Sequence, residues 1–216
     1  MREQEKVLFD EWKLKRPKLI TDGVVNEKKY NDSTLKVLYI LKEANGGKGW
    51  DLRKLLGDGG HASTWNNIAR WQYGINNYQN EISWDNVKNI DQKFRKEQLE
   101  TSAVINLKKD SGGSSANSKE IWTYAWDDKD FLKKQIAIYN PDIIICCGTG
   151  EIVRERELID KWGKDKWEKS SREVKYHIKE VGDKKQIIIS FCHPAIRSNA
   201  KDKFNQLVKT IQEIIL

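Results

Sequence analysis

The sequence contains few cysteines and no long apolar run. Its 216 residues include three cysteines, Cys146, Cys147 and Cys192, and all three lie within short apolar segments. An odd number of cysteines argues against a disulfide framework, and their spacing matches no metal site. Segments such as DIIICC are far shorter than the roughly 20 apolar residues that cross a bilayer, and a charged segment follows Met1. We therefore expect a cytoplasmic protein without membrane contact, bound metal or cofactor.

Several catalytic motifs are also missing. No serine or cysteine follows a predicted strand in a glycine-flanked elbow, which argues against acyl transfer. The His-x-Glu and Pro-Cys-x-x-Cys strings of zinc deaminases do not occur. The stretch NGGKGWD has glycines and a lysine but lacks the spacing of a phosphate-binding loop. Of the reaction classes considered, acid and electrostatic catalysis of bond cleavage is the one that remains.

The charge balance favours an anionic partner. Lys and Arg number 39 against 32 Asp and Glu, which gives a net charge of +7. Such an excess suits a polyanion such as DNA, either single- or double-stranded. The nine tryptophans would suit stacking on unpaired bases, although packing in the core is the simpler explanation for each one. The length predicts a single domain over residues 1–216 that acts as a monomer.

Four apolar segments predict the strands of a central sheet: residues 35–41, 102–107, 142–147 and 186–191. Helical patterns separate them, and the alternating segment VKYHIKEV suits a hairpin with the last strand. Strands that alternate with helices indicate an α/β fold, with a mainly parallel four-stranded sheet covered on both faces. The stretch KKDSGGSSANSK, after the second strand, is predicted to be a mobile loop.

Polar residues stand where each apolar segment ends. Glu43, Asn45 and Gly46 come after the first strand, Asn106 closes the second, Gly148 and Thr149 follow the third, and His193 follows the fourth. In open parallel sheets, ligands bind outside the carboxyl ends of the strands. Each residue alone could serve as a cap or a turn, but their convergence on one edge predicts a shared pocket.

A carboxylate and a histidine in one pocket suit the cleavage of an N-glycosidic bond. Positive charge grows on the sugar and negative charge on the departing base as the bond breaks. Glu43 can stabilise the sugar and place a water molecule, while His193 or an amide donor stabilises the base.

The segments LYILKEANGG, INL and CHPAIRS resemble, in this order, motifs of the uracil-DNA glycosylase superfamily. There the first strand ends in a motif like Gly-Glu-Ala-Pro-Gly or Gly-Gln-Asp-Pro-Tyr, the second in an Asn that reads the base, and the last in a His-Pro-Ser segment. The resemblance spans about residues 35–198. It implies a three-layer α/β/α sandwich, a flipped base, and hydrolysis without metal. Glu43 matches the motif carboxylate, Asn106 the base reader and His193 the donor to the leaving base.

The remaining expected contacts follow from the same alignment of motifs. Asn45 and Trp50 are predicted to bind the base, and Lys42, Gly46, Gly47, Arg197 and Ser198 to contact the DNA. Asp51, in the same glycine-rich loop, is a second catalytic candidate or else the cap of the helix DLRKLL.

The chain also departs from the family pattern. Lys42 stands where the family has Gly, Asn45 where it has Pro, and Ala195 where it has Ser, and the four-cysteine iron–sulfur pattern of some branches is absent. The glycine-rich and polar stretches after the first strand suit a large polar substituent on the base. We therefore predict a modified pyrimidine, as found in the DNA of some phages, rather than uracil.

The main hypothesis is a monofunctional DNA glycosylase that leaves an abasic site, in defence against phages with modified DNA. Three alternatives stay open. They are a repair glycosylase for uracil or damaged bases, an inactive relative that only binds nucleic acid, and a hydrolase of free nucleosides or nucleotides.

Overall fold

The computed structural model describes residues 1–113, 115–182, 184–196 and 199–216. Its strands are β1 (Gly23–Val24), β2 (Val37–Asn45), β3 (Ser102–Gly112), β4 (Ile143–Cys147), β5 (Glu168–Lys169), β6 (Lys175–Val181) and β7 (Lys184–Phe191). Its helices are α1 (Arg2–Lys15), α2 (Glu27–Asp32), α3 (Leu52–Gly57), α4 (Ala62–Asn76), α5 (Gln92–Leu99), α6 (Ser118–Asp127), α7 (Lys129–Tyr139), α8 (Gly150–Glu155) and α9 (Ala200–Ile215).

The strands form one mixed sheet in the order β1-β3-β2-β4-β7-β6-β5. The four predicted strands are its parallel centre, since β3, β2, β4 and β7 pair in parallel. The prediction of a four-stranded sheet was wrong, because β1, β6 and β5 extend it with antiparallel pairs. The hairpin of β6 and β7 was predicted, whereas β1 and β5 have two residues each, too few for a recognisable pattern.

Two central strands continue well beyond their apolar segments. β2 runs on to Asn45 and β3 to Gly112, so that Glu43 lies within a strand and not after it. The stretch predicted as a loop therefore begins as strand and ends in α6, while Ser114 lies outside the described residues. Hydropathy places the end of a strand at its last apolar residue, whereas charged residues continue the ladder when they find partners.

Helices cover both faces of the sheet, so the α/β class is confirmed. On one face, Tyr39 and Leu41 of β2 pack in a cluster with Leu56, Trp71 and Phe204 from α3, α4 and α9. On the other face, Leu38 and Ile40 pack with residues of α1, α6 and α7, including Trp12. Consecutive residues of β2 alternate between the two clusters, as expected for a strand buried on both sides. Within the described ranges, no helix is long and apolar enough to span a membrane.

Helix α4 begins without a side-chain cap. Its first residue is Ala62, with His61 at its cap position and no capping hydrogen bond from that side chain. Ser63 and Thr64, two residue types that often cap helices, both lie in the first turn instead. Their side chains are thereby left to line a neighbouring cavity.

Close packing of α4 against α9 depends on Gly74. A Cβ atom at this position would lie 2.3 Å from Cγ2 of Val208 and 3.1 Å from Cε2 of Phe204. We expect Gly74→Ala to lower the free energy of unfolding by about 1–3 kcal/mol, because overpacking outweighs the better helix propensity of alanine. Urea unfolding would measure this loss. The control is Gly57→Ala, because an added Cβ atom at Gly57 would meet no neighbouring group within 4 Å. This variant should have unchanged or slightly higher stability. Equal stability of the two variants would contradict the packing argument.

Candidate active site

A cavity of about 430 Å³ opens at the carboxyl ends of β2 and β3. Its wall also includes residues of α3, the start of α4, the segment before α6 and the loop after β7. Seven of the predicted site residues line it: Glu43, His193, Asn106, Asn45, Trp50, Lys42 and Gly46. Residues from the ends of the predicted strands in β2 and β3, and from the loop after β7, therefore line one cavity. The residues that follow β4 do not line it.

The carboxylate of Glu43 is held by a lysine of the neighbouring strand. Nζ of Lys108 lies 3.0 Å from Oε2 of Glu43 and 2.9 Å from Oε1 of Glu120 on α6. The side chains of Glu43 and Lys108 are only 7% and 6% exposed. Burial works to lower the pKa of Lys108, but its hydrogen bonds to Glu120 and Glu43 raise the pKa above its usual value. Lys108 is thus a fixed cation beside the cavity.

An irregularity in the β2–β3 ladder creates this arrangement. Glu43 pairs with Lys108, but Ala44 pairs with Ser111, so Lys109 and Asp110 bulge out of β3. Bulges of this kind re-aim side chains at the edges of sheets. Gly112 then lies against Glu43, since a Cβ there would stand 2.1 Å from the carboxyl carbon Cδ. The absence of a side chain at this position gives the carboxylate its room.

The amide of Asn106 is oriented by Asp22, a residue that the sequence analysis did not select. Oδ2 of Asp22 accepts hydrogen bonds from the backbone N–H of Asn106 at 2.8 Å and from its Nδ2 at 3.4 Å. The carboxylate accepts only, so Nδ2 must face it and Oδ1 must point away. Oδ1 is buried and has no partner among the described residues. A buried acceptor without a partner favours a ligand that donates a hydrogen bond.

Asp22 belongs to a buried polar network behind the cavity. Its Oδ1 accepts hydrogen bonds from Nζ of Lys109 at 2.5 Å and Nε2 of Gln135 at 2.9 Å. Lys109 also donates to Oε1 of Gln135 and lies over the ring of Trp12. Burial lowers the pKa of Lys109, although the charge of Asp22 opposes this effect. These contacts connect the floor of the cavity to α1 and α7.

His193 is held in one tautomer. The backbone N–H of Ala195 donates to its Nδ1 at 3.2 Å, which leaves the proton of a neutral ring on Nε2. Burial, together with the positive charge of Lys42, lowers the pKa of His193 below 6.5. Lys42 and His193 lie on the same side of Gly148, since a Cβ atom at this glycine would be within 4 Å of both residues. At neutral pH the ring is therefore an uncharged hydrogen-bond donor.

Two predicted residues lie outside this cavity. Asp51 caps α3 by accepting from the backbone N–H of Arg53, and its carboxylate also pairs with the Arg53 guanidinium at 2.8 Å. Burial works to raise the pKa of Asp51, but Arg53 holds the pKa below its usual value. The capping alternative is thus the one found.

Gly47 lies beneath Trp50, whose indole Nε1 donates to the carbonyl of Gly46. Arg197 and Ser198 lie outside the described residues.

The end of the third strand contributes less than expected. Gly148 and Thr149 border a second, smaller cavity, which shares Lys42 with the first. The hydroxyl of Thr149 is buried and donates to the carbonyl of Ile40 at 2.8 Å. Its role is therefore to join β4 to β2. Within the described residues, no group of three His, Cys, Asp or Glu side chains could hold a metal ion.

The sequence analysis missed Asp22, Lys108 and Lys109. The two lysines were assigned to a loop, although the polar stretch KKD continues INL in the way that KEAN continues LYIL. That parallel between two neighbouring strands was the available signal. Asp22 precedes the two-residue strand β1, and no local pattern marks it.

Comparison with known proteins adds no relative: no protein-family model matches the chain, and no curated protein matches it significantly.

The state of His193 can be tested directly. We expect Lys42→Gln to raise the pKa of His193, because one of the two causes of its depression is removed, while burial keeps it below 6.5. An NMR titration of the ring protons would measure this change. Lys48→Gln, at an exposed position nearby, is the control and should leave the titration as it is. The same midpoint in all three proteins would disprove the interaction with Lys42.

Proposed function

We propose that this protein is a monofunctional DNA glycosylase that hydrolyses the N-glycosidic bond of a flipped-out base. The observation that carries the proposal is the meeting of Glu43, Asn106 and His193 in one cavity at the carboxyl edge of the sheet. Each residue is also in a state that suits this reaction. The carboxylate is paired with a cation, the amide has a buried acceptor with no partner among the described residues, and the imidazole is a neutral donor.

In this reaction the bond between the sugar carbon and the base nitrogen breaks, and its electron pair stays on the base. Nε2–H of His193 donates to an oxygen of the departing base and stabilises its negative charge. Glu43 stabilises the positive charge on the sugar and accepts the proton of a water molecule, whose oxygen bonds to the sugar carbon. The base takes up a proton from solvent, and the products are a free base and an abasic site.

The acceptor on Asn106 restricts the bases that fit. Its Oδ1, which has no partner in the part of the chain that the structure describes, favours a base with an N–H or amino group at the matching position. The cavity of about 430 Å³ lies within the range of small-molecule sites. Three polar residues, His61, Ser63 and Thr64, also line the cavity. These features support a pyrimidine with a polar substituent, such as a hydroxymethylated or glycosylated base, and hence a role in defence against phages with modified DNA.

The proposal includes the finer expectations on architecture and setting. Helices on both faces of the sheet support the three-layer α/β/α arrangement of a single glycosylase-like domain over residues 1–216. The net charge of +7 supports DNA as the partner. We further propose that the protein acts as a monomer in the cytoplasm.

The central test is the loss of the Glu43 charge. We expect Glu43→Gln to lower the single-turnover rate of base release by about 100-fold or more, because a neutral amide cannot stabilise a developing cation. The rate is measured on the preferred DNA as abasic sites formed with time, and DNA affinity is measured alongside.

Glu81→Gln, which removes a carboxylate at an exposed position, is the matched control and should keep the wild-type rate. A Glu43→Gln protein with undiminished base release would remove Glu43 from the mechanism.

The identity of the base is tested with three substrates. We expect release of base from phage DNA that carries hydroxymethylated or glycosylated pyrimidines, and at least about tenfold slower release of uracil from DNA of matched length, because the cavity favours a polar substituent. Chromatography of the released base would measure both rates. Faster release of uracil would favour repair.

Free modified nucleosides form the third arm of the same experiment. Hydrolysis of the free nucleosides with the DNA left intact would favour a nucleoside hydrolase. Tight DNA binding without release of any base would favour the inactive nucleic-acid-binding alternative.

A further inference from the structure

Lys108 does not line the cavity, but it contacts the proposed catalytic carboxylate. Its ammonium group bridges Glu43 at 3.0 Å and Glu120 at 2.9 Å, and it lies 5.5 Å from the centre of the Tyr124 ring. Glu43 lines the cavity, whereas Lys108 stands behind it. Any effect of Lys108 on a substrate therefore acts through Glu43.

Burial makes such a cation important for Glu43. A carboxylate that is only 7% exposed has lost most of its hydration, and a paired cation offsets the cost of burying such a group. Gly112 packs against the same carboxyl group from the neighbouring strand. The carboxylate is thus confined on one side by backbone and held on the other by Lys108.

Other titratable groups line the cavity near Glu43 or contact Lys108 without forming a salt bridge to Glu43. Lys42, on the same strand, and His61 and His193, from the elements that pack around the cavity, line its wall. Glu120 of α6 reaches Lys108 from the exposed side, with 43% of its own side chain exposed. Among the described residues, Lys108 is the one that forms a salt bridge with Glu43.

We propose that Lys108 is a positioning residue for catalysis, which holds the carboxylate of Glu43 so that it points into the cavity. The inference rests on the proposed glycosylase function. Glu120 is the outer anchor of the lysine, and it links the position of α6 to the carboxylate. Without Lys108, the carboxylate of Glu43 would lose its salt bridge at 3.0 Å and, with it, its fixed direction.

The experiment compares Lys108→Met with Lys108→Arg and with Lys119→Met. Methionine keeps the unbranched shape without charge, arginine keeps the charge, and Lys119 is an exposed lysine of α6 that controls for net charge. At neutral pH we expect base release to fall about tenfold or more in Lys108→Met. The loss should lie in the single-turnover rate and not in DNA affinity, while the other two proteins stay within about threefold of wild type in both measurements.

A measurement without DNA separates this inference from the proposed function. In protein labelled with ¹³C at the glutamate carboxyl carbons, the Glu43 signal at neutral pH should move in Lys108→Met and stay close to its wild-type position in Lys108→Arg, because only arginine keeps a cation beside the carboxylate. If the wild type releases no base from any DNA, the glycosylase proposal fails, and this signal still decides whether Lys108 holds the carboxylate of Glu43.

Two outcomes would overturn the inference. One is a folded Lys108→Met protein that releases the base at the wild-type rate, and the other is an unchanged Glu43 carboxyl signal in that protein. If Lys108→Met does not fold, Lys108→Gln replaces it, since glutamine keeps a hydrogen-bond donor without the charge, and the same two outcomes apply.

Discussion

The arrangement of the cavity depends on the ion pair between Glu43 and Lys108. It joins β2 and β3 at the point where their apolar residues have ended. Buried charges are tolerated only when they are paired, so neither side chain could occupy this position alone. The pair allows the parallel ladder to continue to Asn45 and Gly112. It thereby brings the polar ends of both strands under the helices that form the cavity wall.

A second buried pair supports the neighbouring strand from behind. Lys109 follows Lys108 directly but lies in the bulge of β3, where regular pairing with β2 is interrupted. Lys109 reaches Asp22 and Gln135, while Lys108 reaches Glu43. Since Asp22 also fixes the amide of Asn106, the two adjacent lysines support two different residues of the cavity wall. The bulge in β3, opposite the step from Glu43 to Ala44, makes both contacts compatible with one ladder.

The central strands and the site residues that end them could be predicted because they leave strong local signals. Runs such as DIIICC are typical of buried strands, and Asn106 and His193 stand at the ends of such runs. Edge strands of two residues leave no such signal. The extension of β3 was missed because pairing between distant residues, and not hydropathy, keeps Lys108 in the strand. The partners of Glu43 and Asn106 lie 65 and 84 residues away, and the sequence alone cannot connect them.

The role of Asp51 also could not be decided from the sequence alone. Its place in a glycine-rich loop fits both a catalytic role and a helix cap, and the choice depends on Arg53 and Glu5. Arg53 pairs with Asp51 and, through its other nitrogen, with the buried carboxylate of Glu5 on α1. The guanidinium thus draws Asp51 toward α1 and away from the cavity, by a contact that spans 48 residues.

Two lysines set the charges on the two sides of the cavity in opposite ways. Lys42 acts on His193: together with burial, it disfavours a second proton on the ring, so the imidazole stays neutral and donates from Nε2. Lys108 acts on Glu43, since it forms a salt bridge at 3.0 Å with the buried carboxylate. A neutral donor and a carboxylate held in place therefore face the same space. This division of charge is the one that a bond requires when it breaks into an electron-rich base and an electron-poor sugar.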